Sequence, residues 1–101
     1  MLLSKGALTQ GSLKDEVAIV TGAGRGIGYE AARGLVWLGA NVVIAEVNEV
    51  SGRAAAENLE EEFGEGKALF VKTDVGRDKD IEKLAKEALR KWAKLTLLLV
   101  L

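Results

Sequence analysis

Four apolar residues, Val17-Ala18-Ile19-Val20, run directly into Thr21-Gly22-Ala23-Gly24-Arg25-Gly26-Ile27-Gly28, and few folds accommodate such a junction. A short apolar run that stops at a glycine cluster reads as a buried strand meeting a tight turn. Beyond the turn, Ile27, Ala31, Leu35 and Leu38 recur at helical spacing. Gly39 follows where a left-handed C-terminal cap belongs, so a helix of about three turns is expected.

The same unit then repeats. Asn41 to Ala45 is a second apolar strand, and Asn48 can cap a helix that presents Ala55, Leu59 and Phe63 on one face before Gly64 stops it. Ala68 to Val71 is a third strand. Ile81, Leu84, Ala85, Ala88, Leu89 and Trp92 form the cleanest helical stripe in the chain, and Leu95 to Val100 supplies a fourth strand. Strands that are apolar throughout and alternate with helices indicate a parallel sheet covered on both faces. Right-handed crossovers give the strand order 3-2-1-4, with the first two helices on one face and the third on the other. The expected fold class is therefore α/β: one half of a Rossmann-type three-layer fold, with a parallel four-stranded sheet and three helices. A length of 101 residues suits a single domain over 1–101, with residues 1–14 as a polar, glycine-containing leader.

Glycines crowd such a turn when an anionic group must approach the backbone amides closely, because a side chain would stand in the way. The strict G-x-G-x-x-G spacing is not met: counted from Gly22 its last position is Ile27, and counted from Gly24 it is Tyr29. A mononucleotide-hydrolysing loop is not met either, since Gly66-Lys67 is followed by Ala68 and has Glu61 where its first glycine belongs. What fits is T-G-x-x-x-G-x-G from Thr21 to Gly28, here "TGAGRGIG". With the "LKDEVAIVTG" opening, an acidic residue closing the second strand, Asp74-Val75 after the third and "KWAKLTLLLV" approaching the fourth, the chain resembles the short-chain dehydrogenase/reductase family from about Leu13 to Leu99.

The resemblance implies an NAD(P)-binding oxidoreductase portion and assigns roles residue by residue. The amides around Gly22, Arg25, Gly26 and Ile27 should face the pyrophosphate, while Gly28 lets the helix pack closely on the strand. Asp74 and Val75 should flank the adenine. Glu46, 18 residues after Gly28, should accept hydrogen bonds from the adenosine ribose hydroxyls and repel a 2′-phosphate, which favours NAD over NADP. Arg25 argues the other way, because NADP-preferring members often carry a basic residue there; pairing with Glu46 or lying in solvent are its alternatives.

The family's catalytic Ser, Tyr and Lys four residues after that Tyr lie beyond the fourth strand, and none is found here. The chain's one tyrosine, Tyr29, sits in the first helix with Arg33 four residues later, and reads as a packing or surface residue. Thr96 stands where the family usually has Asp, and Val100-Leu101 where it has Asn-Asn. An early stop, a deliberate shortening and an incomplete sequence each fit that departure. No catalytic residue is therefore assigned, and the substrate is not readable. The leading expectation is a dinucleotide-binding portion without turnover of its own. The rivals are a working dehydrogenase completed by further sequence or a partner, and a self-associating structural remnant without cofactor.

Composition narrows the partners. A net charge of −1 from 14 basic and 15 acidic residues offers no broad attraction for nucleic acid or an anionic membrane. The absence of Cys and His removes disulfides, thiol nucleophiles and the common zinc sites, so no metal site is expected. Leu2-Leu3 and Leu97–Leu101 fall short of a signal peptide and a membrane span, so a cytoplasmic protein is expected. An apolar fourth strand with a free edge, or the sheet face beside it, should drive homo-oligomer formation.

Overall fold

The computed structural model describes residues 10–99, the last three through their backbone alone. Three βα units follow one another: β1 (Val17–Thr21), α1 (Gly26–Trp37), β2 (Asn41–Glu46), α2 (Glu49–Phe63), β3 (Ala68–Lys72) and α3 (Asp78–Trp92). A three-residue strand, β4 (Leu97–Leu99), then runs beside β1. All pairings are parallel and the order across the sheet is β3-β2-β1-β4. β4 starts at Leu97, later than the expected Leu95; Val100, the expected end, lies outside the described residues.

Parallel pairing dictates what each strand must be. Successive residues point to opposite faces, and crossover helices cover both, so β1 is buried at all five positions. Its even-numbered residues Ala18 and Val20 join Val42, Ile44 and Ala68 beneath α1 and α2, which contribute Ala32, Leu35, Val36, Ala55, Ala56 and Leu59. Its odd-numbered Val17 and Ile19 join Val43, Ala45 and Val71 beneath α3, anchored by Leu84 and Ala88. The first two helices thus share one face and the third takes the other. Of the α3 stripe, Leu89 departs: it is 48% exposed.

The helix ends follow local chemistry. Asn48 caps α2 by accepting from the Ser51 amide at 3.0 Å, and Gly64 ends it at φ +116°. Gly39, at φ +108°, turns the chain from α1 into β2. Residues 1–9 of the expected leader lie outside the described residues. The remainder is no free tail, since Leu13 donates its amide to the Leu38 carbonyl at 2.7 Å and packs against the core beneath α1.

β4 is moored to the start of β1 by side chains as well as by its ladder. The Thr96 amide donates to the Val17 carbonyl at 2.8 Å, and the Val17 amide to the Thr96 hydroxyl at 3.2 Å. That hydroxyl donates to Glu16 Oε2 at 2.6 Å, and Lys94 Nζ stands 3.3 Å from the same oxygen. The Thr96 hydroxyl, and then Lys94, hold the Glu16 carboxyl below its ordinary range. A carboxyl with a lowered pKa in the folded chain stabilises it above the unfolded-state pKa, and that contribution disappears as pH falls through the folded-state value. Glu16→Gln should therefore flatten the acid side of the stability curve while lowering stability near neutrality slightly, in urea denaturation followed against pH. An equal loss at neutral and acid pH would contradict the linkage.

Candidate functional site

β1 ends in the buried Thr21, and the backbone then leaves the sheet through Gly22, whose amide donates to the Ala45 carbonyl at 2.9 Å. Gly22 and Gly26 both have positive φ, +63° and +62°, the region that favours glycine. A Cβ placed on either would meet nothing within 4 Å, so the space in front of the turn is open. Gly28 is confined instead: a Cβ there would run into the Gly22 carbonyl oxygen and come within 2.7 Å of its carbon. α1 thus seats directly on the turn.

The start of α1 is bare. Arg25 occupies the N-cap position in extended conformation with no side-chain hydrogen bond to the helix, and no acidic residue lies in the first turn. The amides at this end, with their share of the helix dipole, face outward beside exposed Arg25, Gly26 and Ile27. α2, by contrast, closes its own N-terminus through Asn48. Open glycines and uncapped amides in one turn suit an anionic group such as a pyrophosphate.

Glu46 closes β2 and is half-buried. Its Oε1 accepts from the Gly24 amide at 3.3 Å and its Oε2 from the Asn48 amide at 3.1 Å, so one carboxylate joins the glycine turn to the β2–α2 loop. Among the described residues the ion pairs are Arg33–Glu62, Arg53–Glu49, Arg90–Glu87 and Lys94–Glu16. Arg25 is not paired with Glu46 and lies exposed.

Past β3, the buried Thr73 donates its amide to the Glu46 carbonyl at 3.0 Å and its hydroxyl to the Val71 carbonyl at 2.9 Å. Asp74 turns the chain: its Oδ1 accepts from the Gly76 amide and its own amide donates to Asp80 Oδ2, both at 2.9 Å. Val75 is 56% exposed.

A cleft of about 280 Å³ lies across the carboxyl ends of the three strands. Of the residues singled out from the sequence, Gly22, Glu46, Asp74 and Val75 line it; Arg25, Gly26 and Ile27 do not, and belong to the turn and the start of α1. Thr21, Ala45, Val47 and Thr73 also line it and were not anticipated. Val47 and Thr73 adjoin Glu46 and Asp74 in sequence, so the strand ends themselves were the signal for them.

Tyr29 is away from this cleft, half-buried against the core beneath α1 and α2. Burial, and then Glu62, push its phenol above the ordinary range, and Arg33 is held by Glu62. No group of three or more His, Cys, Asp or Glu placed to hold a metal occurs among the described residues, and none of their helices is long and apolar enough to cross a membrane.

Known proteins resemble this chain in sequence and in fold. The profile of the family described as short chain dehydrogenase matches residues 16–100. The short chain dehydrogenase/reductase astE of Aspergillus oryzae is 47% identical over 73 residues, 72% of this chain and 28% of that protein. The crystal structure of a short chain dehydrogenase/reductase from Burkholderia phymatum in complex with NAD matches with a TM-score of 0.81 and 31% identity, over 86% of this chain and 30% of that one. Hydroxysteroid dehydrogenase from Escherichia coli matches with a TM-score of 0.80 and 30% identity, over 85% of this chain and 35% of that one. The chain thus spans between 28% and 35% of the length of these relatives.

Proposed function

The chain belongs to the short chain dehydrogenase family, and from that premise we propose that it is the dinucleotide-binding portion of an oxidoreductase, with NAD preferred to NADP. The observation that carries the reading is the cleft that joins Gly22, Glu46, Asp74 and Val75 across three adjacent strand ends. In parallel sheets ligands bind outside the carboxyl ends of the strands, beside the switch in strand order. The neighbouring Burkholderia phymatum structure, solved with NAD, supports the same ligand class.

Each residue's part follows from its chemistry. The backbone around Gly22, Arg25, Gly26 and Ile27 holds the pyrophosphate with partial positive charge and no side chain in the way. Glu46 holds the ribose hydroxyls of adenosine and opposes a 2′-phosphate, and Asp74 with Val75 bounds the adenine. A bound nicotinamide dinucleotide supplies a hydride acceptor or donor. The described residues supply binding and orientation, and turnover needs a positioned proton donor, a part that we assign to none of them. Leu95, 39% exposed two residues before β4, supports self-association at that edge.

The test is calorimetric titration of the chain with NAD, NADP and ADP-ribose. NAD and ADP-ribose should compete for one site, and Glu46→Ala should lower the NAD:NADP affinity ratio roughly tenfold, about 1.4 kcal/mol. Because Glu46 also ties Gly24 to Asn48, both absolute affinities should fall, and the ratio is the informative quantity. No heat and no competition at millimolar ligand would end the reading; an unchanged ratio would end the assignment of Glu46.

A further inference from the structure

The glycines around the turn serve for different reasons, and Gly24 stands apart. Gly22 and Gly26 have positive φ and open space where a Cβ would be; Gly24 lies outside the left-handed region and has no such space. A Cβ on Gly24 would stand 2.7 Å from Glu46 Oε1, 2.9 Å from Glu46 Cγ and 2.8 Å from Ser51 Oγ. Ordinary contacts of that kind begin near 3.4 Å, so one partner has to give way.

The carboxylate lines an open cleft and can retreat only at the expense of its hydrogen bonds. Its Oε1 is drawn toward the Gly24 amide and its Oε2 is held by the Asn48 amide, so moving away from a new methyl group breaks the first bond and strains the second. Ser51, in the first turn of α2, stands against the same point, and its amide is in turn fixed by Asn48 Oδ1 at 3.0 Å. The missing Cβ of Gly24 is therefore what lets one carboxylate bridge the two loops.

We propose that Gly24 is a positioning residue for Glu46: by leaving room for the carboxylate against its own amide, it sets the discrimination between a free and a phosphorylated adenosine ribose. The proposal rests on the reading of Glu46 as the ribose-binding group. Its direction follows from charge and geometry. A carboxylate displaced from the turn loses its alignment on the ribose hydroxyls and carries its negative charge away from the position a 2′-phosphate would take. Backbone strain plays no part, so alanine tests space alone.

The experiment measures NAD and NADP dissociation constants of the 101-residue chain by calorimetry for Gly24→Ala, Glu46→Ala and the pair Gly24→Ala/Glu46→Asp. Gly24→Ala should lower the NAD:NADP affinity ratio by roughly tenfold, mostly through weaker NAD binding. The pair should recover the ratio, because the shorter Asp side chain vacates the volume the methyl group takes. Amide hydrogen exchange without ligand gives a second reading: the Gly24 amide should exchange faster in Glu46→Ala while the β1 amides stay protected. If Glu46→Ala shifts the ratio and Gly24→Ala does not, the inference falls and the ribose-binding reading stands. If Glu46→Ala leaves the ratio unchanged, both fall. Should Gly24→Ala fail to fold, recovery of fold and ratio in the Asp pair supports the inference, and a Gly24 amide indifferent to Glu46→Ala overturns it.

Discussion

Gly28→Ala should unfold the chain or leave it only partly folded, and should abolish dinucleotide binding with it. The added methyl group would run into the Gly22 carbonyl oxygen, and within 3.1 Å it would also meet Ala23 Cα. These obstacles are backbone. Gly22 cannot swing aside, because its amide is tied to the Ala45 carbonyl at 2.9 Å. α1 cannot lift off either, because Ala31, Ala32, Leu35 and Val36 are buried along it. Overpacking typically costs about 1–3 kcal/mol where side chains can adjust, and here they cannot, so the cost should exceed about 3 kcal/mol. Against a total of roughly 5–15 kcal/mol for a domain of this kind, that is a large share. Gly52→Ala is the control. Its Cβ would run into the ring of Phe70, which is side chain and not backbone but packs against the core, so that substitution should also destabilise, offset in part by up to about 1 kcal/mol of helix propensity in α2. Urea denaturation should place the Gly52→Ala midpoint between those of the parent and Gly28→Ala. Equal midpoints for the two would mean that the turn is not the rigid seat described above.

The contrast between these glycines indicates what a sequence can and cannot convey. The parallel sheet, the three helices and their division between its faces were legible because each depends on periodicity and on punctuation: four apolar residues before a glycine turn, Asn48 before an apolar stripe, Gly64 after it. The residues at the cleft were legible only as far as strand ends are. Glu46 and Asp74 could be named because each closes or follows an apolar run, yet nothing in the order of residues says that Glu46 reaches both the Gly24 and Asn48 amides, 22 residues back and two residues on. Such bonds depend on how far one loop leans toward another. Likewise the start of β4 lies beside the contact of the Thr96 hydroxyl with the Glu16 carboxylate, and that pairing across 80 residues leaves no local trace. Leu89 belongs to the helical stripe but is exposed, although Trp92 beyond it packs against the core.

Purified 101-residue chain, supplied with NAD and any alcohol, should produce no change in NADH absorbance above the protein-free rate, while still binding the dinucleotide. The two halves of this expectation rest on different parts of the molecule. Binding is expected to draw on the backbone of the glycine turn and on the strand ends, of which Gly22, Glu46, Asp74 and Val75 line one cleft. Alcohol oxidation needs in addition a group that takes the hydroxyl proton as the hydride leaves, a contribution of about 10²–10⁴ in rate from a positioned acid or base. The one tyrosine is badly placed for that: Tyr29 packs beneath α1 and α2, and burial raises its phenol away from neutrality where a proton-transferring tyrosine needs it lowered. The cation four residues on cannot correct this, since Arg33 is bound to Glu62. The carboxylates at the cleft are engaged by backbone amides, Glu46 with Gly24 and Asn48, and Asp74 with Gly76. Tyr29→Phe should therefore leave NAD affinity unchanged. Chain-dependent NADH formation that persists at verified mass and purity would overturn the expectation. Its loss in Tyr29→Phe would assign the proton transfer to the residue placed here in the packing between two helices.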